Sequence, residues 1–241
     1  MVSNLISIVS KSMSETNIYH KIVDDFIVTR NLKIKIPEID DNMAYLVGVI
    51  MGDGSIIKSK RKKGGYVYMI HIYSGSIKFL NDINRIAYNL FGYKGIFLKD
   101  KRKNNTYRIS IQSAVIFWYL TSLGLKFGKK RDLCIPKIFK TKPSYTLNLI
   151  AGLIDTDGHV KSNSNRIQLK QKSKLFLEEL EKILNKFNMN SSSVKVNYTD
   201  SKPFYYIRFD NKLPLRFKVY ASVAQRQSNN KPLLNQMEVI A

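Results

Sequence analysis

Leu46-Val-Gly-Val-Ile-Met-Gly-Asp-Gly54 and Ile150-Ala-Gly-Leu-Ile-Asp-Thr-Asp-Gly158 correspond position for position, each an apolar run closed by an aspartate and a glycine. Asp157 follows Asp53 by 104 positions, and Gly152 follows Gly48 at the same interval. Self-similarity at a fixed spacing marks two copies of one structural unit. It continues past the motifs, where Ile72-Tyr-Ser-Gly-Ser-Ile-Lys-Phe-Leu80 pairs with Leu169-Lys-Gln-Lys-Ser-Lys-Leu-Phe-Leu177 at a slightly shorter offset.

Working outward, each motif reads as a buried helix. In the first, Met43 to Met51 is started by Asp41 or Asn42 and stopped near Gly54. Segments 66–73 and 107–111, rich in β-branched and aromatic residues, read as strands, with a turn at Gly64-Gly65 and helices over 79–90 and 115–123. The second half repeats the order: a helix to Asp157, a strand over 166–171, a helix over 175–187, strands near 194–198 and 205–209, and a helix over 215–223. Each repeat is therefore α+β with an antiparallel sheet. The expected organisation is an N-terminal extension (1–42), a first repeat (43–140) and a second (141–241). Lys137 to Ser144, edged by Pro136 and Pro143, serves as the linker.

Ala44, Gly48 and Gly52 fall on one helical stripe, and Asn148, Gly152 and Thr156 on the matching one. Small residues there let the helices approach closely through Gly48 and Gly152, which brings Asp53 and Asp157 together. Paired carboxylates repel unless a cation lies between them, and a hard divalent ion such as Mg²⁺ suits oxygen donors. The expected metal group is Asp53 and Asp157 with Gly52 and Thr156 beside them, and Mn²⁺ can substitute. Asp-Gly by itself is a common turn, and the doubled, in-register motif in a basic chain is what favours chemistry. Asp155, two residues from Asp157 and matched by Met51, points elsewhere and is secondary. An EF-hand reading fails because Val160 and Arg166 occupy the glycine and closing glutamate positions.

Composition narrows the partner. The 241 residues are 44% hydrophobic, enough for a core, and 40 Lys plus Arg against 18 Asp plus Glu give a formal charge of +22. Such an excess suits a polyanion, with nucleic acid first and a ribosomal or membrane-surface partner, or a basic thermophile surface, as alternatives. One cysteine, Cys134, and the scattered His20, His71 and His159 point away from disulfides and structural zinc. No secretion signal or transmembrane run is read, so a soluble intracellular protein, cytoplasmic or organellar, is expected.

The two motifs resemble the LAGLIDADG motif of homing endonucleases, residues 150–158 most closely, and the doubling resembles the single-chain members of that family. The resemblance covers nearly all the chain after residue 42. It implies two αββαββα repeats forming a saddle whose antiparallel sheets lie in the DNA major groove. It also implies a monomer that cuts both strands of a long asymmetric target with a divalent metal, leaving short 3′ overhangs, and catalytic Asp53 and Asp157. Gln171 resembles the family's active-site glutamine, where the first repeat has Ser74. Lys129 or Lys130, in Gly124-Leu-Lys-Phe-Gly-Lys-Lys-Arg131, fits the family's late basic residue, and the second repeat offers Arg226.

Strand alternation nominates base-contacting side chains: Arg166, Gln168 and Lys170 against Ile167 and Leu169 in the second repeat, with Arg208, and Tyr66, Tyr68, His71, Arg108, Ser110 and Gln112 in the first. Lys58, Lys60, Arg61, Lys62 and Lys63, then Lys99, Lys101, Arg102 and Lys103, with Lys161, are phosphate-contact candidates. Rival functions are an RNA-binding splicing cofactor on the same fold and a non-catalytic DNA-binding regulator. The Val-Ile-Ala ending and the lack of an N-terminal nucleophile count against an intein.

Overall fold

A computed structural model describes residues 2–100, 106–128, 133–160, 167–189, 191–199 and 202–209. In chain order its elements are α1 (Val2–Glu15), β1 (His20–Val23), β2 (Phe26–Thr29), β3 (Lys33–Lys35), α2 (Asp41–Asp53), β4 (Gly54–Lys60), β5 (Tyr66–Ser74), α3 (Ile77–Phe91), β6 (Ile96–Lys99), β7 (Tyr107–Ile111) and α4 (Ala114–Ser122). A 3₁₀ turn, Lys137–Lys140, leads to α5 (Pro143–Asp157), β8 (Gly158–Val160), β9 (Ile167–Gln171), α6 (Lys174–Lys186), β10 (Lys195–Thr199) and β11 (Lys202–Phe209).

From α2 to α4 the first repeat is αββαββα. The second follows the same order as far as β11, and its expected last helix (215–223) lies outside the described residues. The four-stranded sheets have equivalent orders, β4-β5-β7-β6 and β8-β9-β11-β10, all antiparallel.

The motif helices α2 and α5 lie against each other at the centre. Met43 to Met51 in one and Thr146 to Asp155 in the other are buried without interruption, the signature of helices enclosed on every side. Asp40, rather than Asp41 or Asn42, caps α2: the Met43 amide donates to its Oδ1 at 2.7 Å, satisfying one of the amides a helix start leaves unpaired. Pro143 is the first residue of α5, where its missing N–H costs nothing. It therefore opens the second motif helix, and the short turn before it makes the linker.

Contact between the pair is backbone on backbone. A Cβ on Gly48 would lie 2.1 Å from the Leu149 carbonyl oxygen, and one on Gly152 would lie 2.3 Å from the Tyr45 oxygen and 2.7 Å from the Val49 nitrogen. A Cβ on Gly52 would meet Thr156 Oγ1 at 1.8 Å. The small-residue stripes read from the sequence are thus the seam.

Residues 1–42, which have no counterpart in the second repeat, are structural. α1 buries Leu5, Ile6, Val9 and Met13 and packs on α4, while β1, β2 and β3 form a small sheet. The extension joins the same continuous core as both repeats.

Candidate active site and nucleic-acid face

Both catalytic candidates are the last residues of their helices, and the next residue begins a strand. The turn is sharp enough that a Cβ on Gly54 would lie 2.6 Å from Ile50 Cα, and one on Gly158 would lie 2.4 Å from the Ile154 oxygen. Glycine after each aspartate is therefore a packing demand. The contact between Gly52 and Thr156 joins the helices one residue before the acids, so Asp53 and Asp157 leave the seam at the same end. Asp53 is exposed and Asp157 half-buried.

A carboxylate at a helix C-terminus opposes the macrodipole, and neither last turn carries a basic residue to offset it. Two such ends side by side concentrate negative potential from two carboxylates and the terminal carbonyls around Gly52 and Thr156. That donor set is all hard oxygen and fits a divalent cation. Among the described residues no group of three or more His, Cys, Asp or Glu forms a metal cage.

The two acids sit beside different side chains. Gln171 Nε2 donates to Asp157 Oδ2 at 2.7 Å. At the equivalent position Ser74 Oγ instead accepts from the Ser76 amide at 3.1 Å. The sites are chemically unequal. Lys129 and Lys130, together with Lys101, Arg102, Lys103, Lys161, Arg166 and Arg226, lie outside the described residues.

Asp155 is 5% exposed and accepts from the Tyr45 hydroxyl, in the opposite motif helix, at 2.6 Å. Its other oxygen has no hydrogen-bond partner. Burial pushes its pKa well above the usual carboxylate range, only partly opposed by the Tyr45 hydrogen bond. A raised carboxyl pKa favours the fold while the group is neutral. Its contribution is complete below the unfolded value of 3.8 and falls as pH rises towards the folded value. Asp155→Asn, which cannot ionise, is accordingly expected to gain melting temperature over the parent as pH climbs from 4 to 8. A constant difference across that range in thermal melts would contradict the assignment.

Register sorts the remaining candidates by face. Ile56, Ile70, Ile72, Ile109 and Ile111 are buried against the helices, so the other face of the first sheet carries His71, Arg108 and Ser110, paired as His71–Ser110 and Tyr73–Arg108. Gln112 is exposed just beyond β7. Tyr68 departs from its expected place. It shares the parity of Ile70, is 7% exposed, and its ring centroid is 4.9 Å from that of Phe117. Tyr66 has the same parity. Their partners Lys60 and Lys58 follow them to the helix side, with Lys58 Nζ 4.5 Å from the Tyr66 ring and 5.7 Å from Trp118. The sequence reading grouped Tyr66, Tyr68 and His71 across opposite parities, and alternation separates them. Arg61, Lys62 and Lys63 are exposed at the β4–β5 turn.

In the second sheet Ile167, Leu169, Ile207 and Phe209 pack inward, which leaves Gln168, Lys170 and Arg208 on the other face. The same register adds Phe204, Tyr206, Lys195 and Asn197, none of them nominated from sequence. Lys170 Nζ lies 5.2 Å from the Phe204 ring and the Arg208 guanidinium 5.0 Å from Tyr206. Extending the alternation already visible at Ile207 and Phe209 back along β11 would have found the two aromatics.

Comparison with known proteins agrees with this architecture. A DNA polymerase of Thermococcus kodakarensis is 27% identical over 178 residues, covering 73% of this chain and 10% of that protein. A reverse gyrase of Methanocaldococcus jannaschii is 28% identical over 194 residues, covering 77% of this chain and 10% of that protein. The chain spans about a tenth of the length of these curated relatives, so the likeness is to a segment of each. Among solved structures, I-DmoI in complex with DNA and Ca aligns with a TM-score of 0.56 at 17% identity, over 83% of this chain and 96% of that one. Mesophilic variants of the homing endonuclease I-DmoI align at 0.56 and 19%, over 75% and 93%. Identity at that level establishes a shared fold. The model of the LAGLIDADG-like domain matches residues 40–122 and again 144–236, one match over each motif helix and its sheet. Duplicated motif, glycine seam and matching sheets thus have one common explanation: the chain belongs to the LAGLIDADG-like domain family.

Proposed function

We propose that this chain is a site-specific double-strand DNA endonuclease, a homing endonuclease that hydrolyses one phosphodiester on each strand. The observation that carries the reading is the seam: two abutting helices end together in Asp53 and Asp157, one acid from each repeat. Pseudo-two-fold placement of two acids suits a duplex, whose strands are themselves related by local two-fold axes. One chain supplies both acids, so a monomer suffices. The family's solved relatives, one of them crystallised with DNA and Ca, support the same reading.

In this mechanism the two sheets lie along the major groove and set the register, with a strongly basic surface drawing in the phosphates. Asp53 and Asp157, with the carbonyls beside them, would hold divalent cations, and Gln171 fixes the orientation of Asp157. Mg²⁺ bound there would lower the pKa of water and neutralise charge on the attacking and leaving oxygens. Unequal open faces on the two sheets favour a long, asymmetric target, and the cuts leave short 3′ overhangs. By the family resemblance, Lys129 or Lys130 would be the late basic residue that serves the first acid.

Incubating the full chain with a randomised duplex library and Mg²⁺ or Mn²⁺, with an EDTA control, tests the reading. Discrete cut ends within a common sequence, abolished by EDTA, are expected. Duplexes bound but never cut under any divalent ion would overturn it in favour of a binding protein, and preferential retention of RNA would favour a splicing cofactor.

A further inference from the structure

The helix side of the β4–β5 hairpin carries a surface that plays no part in the proposed cutting. Five aromatic rings form one cluster there. Between ring centroids, Tyr68 lies 4.9 Å from Phe117 and 5.8 Å from Trp118, Tyr66 lies 6.4 Å from Tyr68, and Phe127 lies 5.4 Å from Phe117. The cluster reaches solvent: Tyr66 and Phe127 are each 48% exposed, and Trp118 is half-buried. Strand parity puts Tyr66 and Tyr68 on the opposite face from His71, Arg108 and Ser110, so the patch lies away from the face proposed for the duplex groove.

Two polar atoms in the cluster have nothing to bond. The Tyr68 hydroxyl, on a residue only 7% exposed, and the Trp118 indole nitrogen are buried without a hydrogen-bond partner among the described residues, although buried tyrosine and tryptophan ordinarily find one. Lys58 Nζ rests over the same rings, 4.5 Å from Tyr66, 5.8 Å from Tyr68 and 5.7 Å from Trp118. Residues 54–68 and 117–128, which build the patch, hold six Lys and Arg and no Asp or Glu. A fitting ligand is therefore anionic, rich in hydrogen-bond acceptors, and flat enough to lie on exposed rings. A duplex supplies the charge but keeps its base faces within its own stack. Unpaired bases on a phosphate backbone supply all three.

We propose that this patch is a second nucleic-acid site, one that takes a single strand. Bases stack on Tyr66, Phe127 and Trp118, and phosphates meet Lys58 and the cations of the hairpin turn. The flexible Lys58 side chain gives way as the strand arrives, which lets base or sugar acceptors reach the Tyr68 hydroxyl and the indole N–H. This site stands apart from the groove-facing sheets and holds whether or not the chain cuts duplex DNA.

Trp118 is the only tryptophan in the chain, so its fluorescence reports on the patch directly. The full chain, in EDTA to prevent cutting, is titrated with oligo-dT and with oligo-U of about ten nucleotides. Quenching of Trp118 is expected with one strand or both, and the ratio of the two affinities distinguishes a DNA ligand from an RNA one. The double variant Tyr66→Ala, Phe127→Ala, altered only at exposed positions, should bind the strand about tenfold more weakly or worse, the scale of lost base stacking. Its affinity for a blunt duplex, read by anisotropy, should stay at the parental value. An abasic strand of the same length should bind the parent no better than oligo-dT binds the double variant. Absence of quenching with both strands would overturn the proposal, as would a double variant that binds like the parent. Equal binding of the abasic strand would show that charge alone suffices, and full displacement of the strand by duplex would put it in the groove; either result also overturns the second site. None of these outcomes bears on cleavage of the duplex library, so the two readings fail separately.

Discussion

Gly152→Ala is expected to lower the unfolding free energy by more than about 4 kcal/mol, and Gly152→Val to prevent folding altogether. The added Cβ would meet the Tyr45 oxygen at 2.3 Å, the Val49 nitrogen at 2.7 Å and the Gly48 carbonyl carbon at 3.0 Å. All three are backbone atoms of the facing helix, so no side-chain rotation relieves the clash. The helices must separate, and separation along the most deeply buried seam opens the core on either side of it. Overpacking in ordinary cores costs about 1–3 kcal/mol because side chains yield; here nothing can. Gly64→Ala is the control: that glycine has open space around it and a φ of +88°, so only local strain of roughly 1–2 kcal/mol follows. Urea midpoints for the variants decide the matter. A Gly152→Ala protein within about 1 kcal/mol of the parent would show that the helices do not touch as described.

Asp157→Asn is expected to convert double-strand cutting into nicking, and Asp53→Asn to nick the opposite strand. Asparagine keeps the shape and loses the charge, so cation affinity falls while the fold survives. A divalent ion contributes several kcal/mol to such hydrolyses and each 1.36 kcal/mol is tenfold in rate, so the affected strand should slow by about a thousandfold. The double variant should bind its target and leave it uncut. Gln171→Ala should slow only the strand served by Asp157, because that is the acid its side chain holds. Conversion of supercoiled plasmid carrying the selected target to nicked or linear product reads all four outcomes. Undiminished linear product from both single variants would end the catalytic assignment.

What was legible in the sequence was whatever repeats or alternates. The motif helices, their glycine stripe and the terminal aspartates were visible because two copies could be compared in register. Residues with no copy were opaque. Nothing in residues 1–42 announced that α1 would bury Val9 and Met13 in the common core. Asp155 was recognised as pointing away from Asp157, but its partner Tyr45 is 110 positions away and is set by the helix crossing alone. β4 was hard to see because Lys58 and Lys60 interrupt its apolar pattern, although the long stem of Lys58 lies over aromatic rings on the helix side. Tyr68 was misplaced for a related reason: an aromatic in a strand suits either face, and only its parity with Ile70 decides.

The N-terminal segment grips both repeats at once. The Tyr119 hydroxyl, from α4, donates to the Pro37 oxygen at 3.1 Å, and the Tyr145 hydroxyl, from α5, donates to the Ile39 oxygen at 2.7 Å. A recombinant enzyme assembled from halves of two relatives, joined at the obvious interdomain turn, would inherit a strap fitted to only one of them. Whoever reshuffles such halves must carry the segment between β3 and Asp40 and its tyrosine receptor across the junction as a matched set.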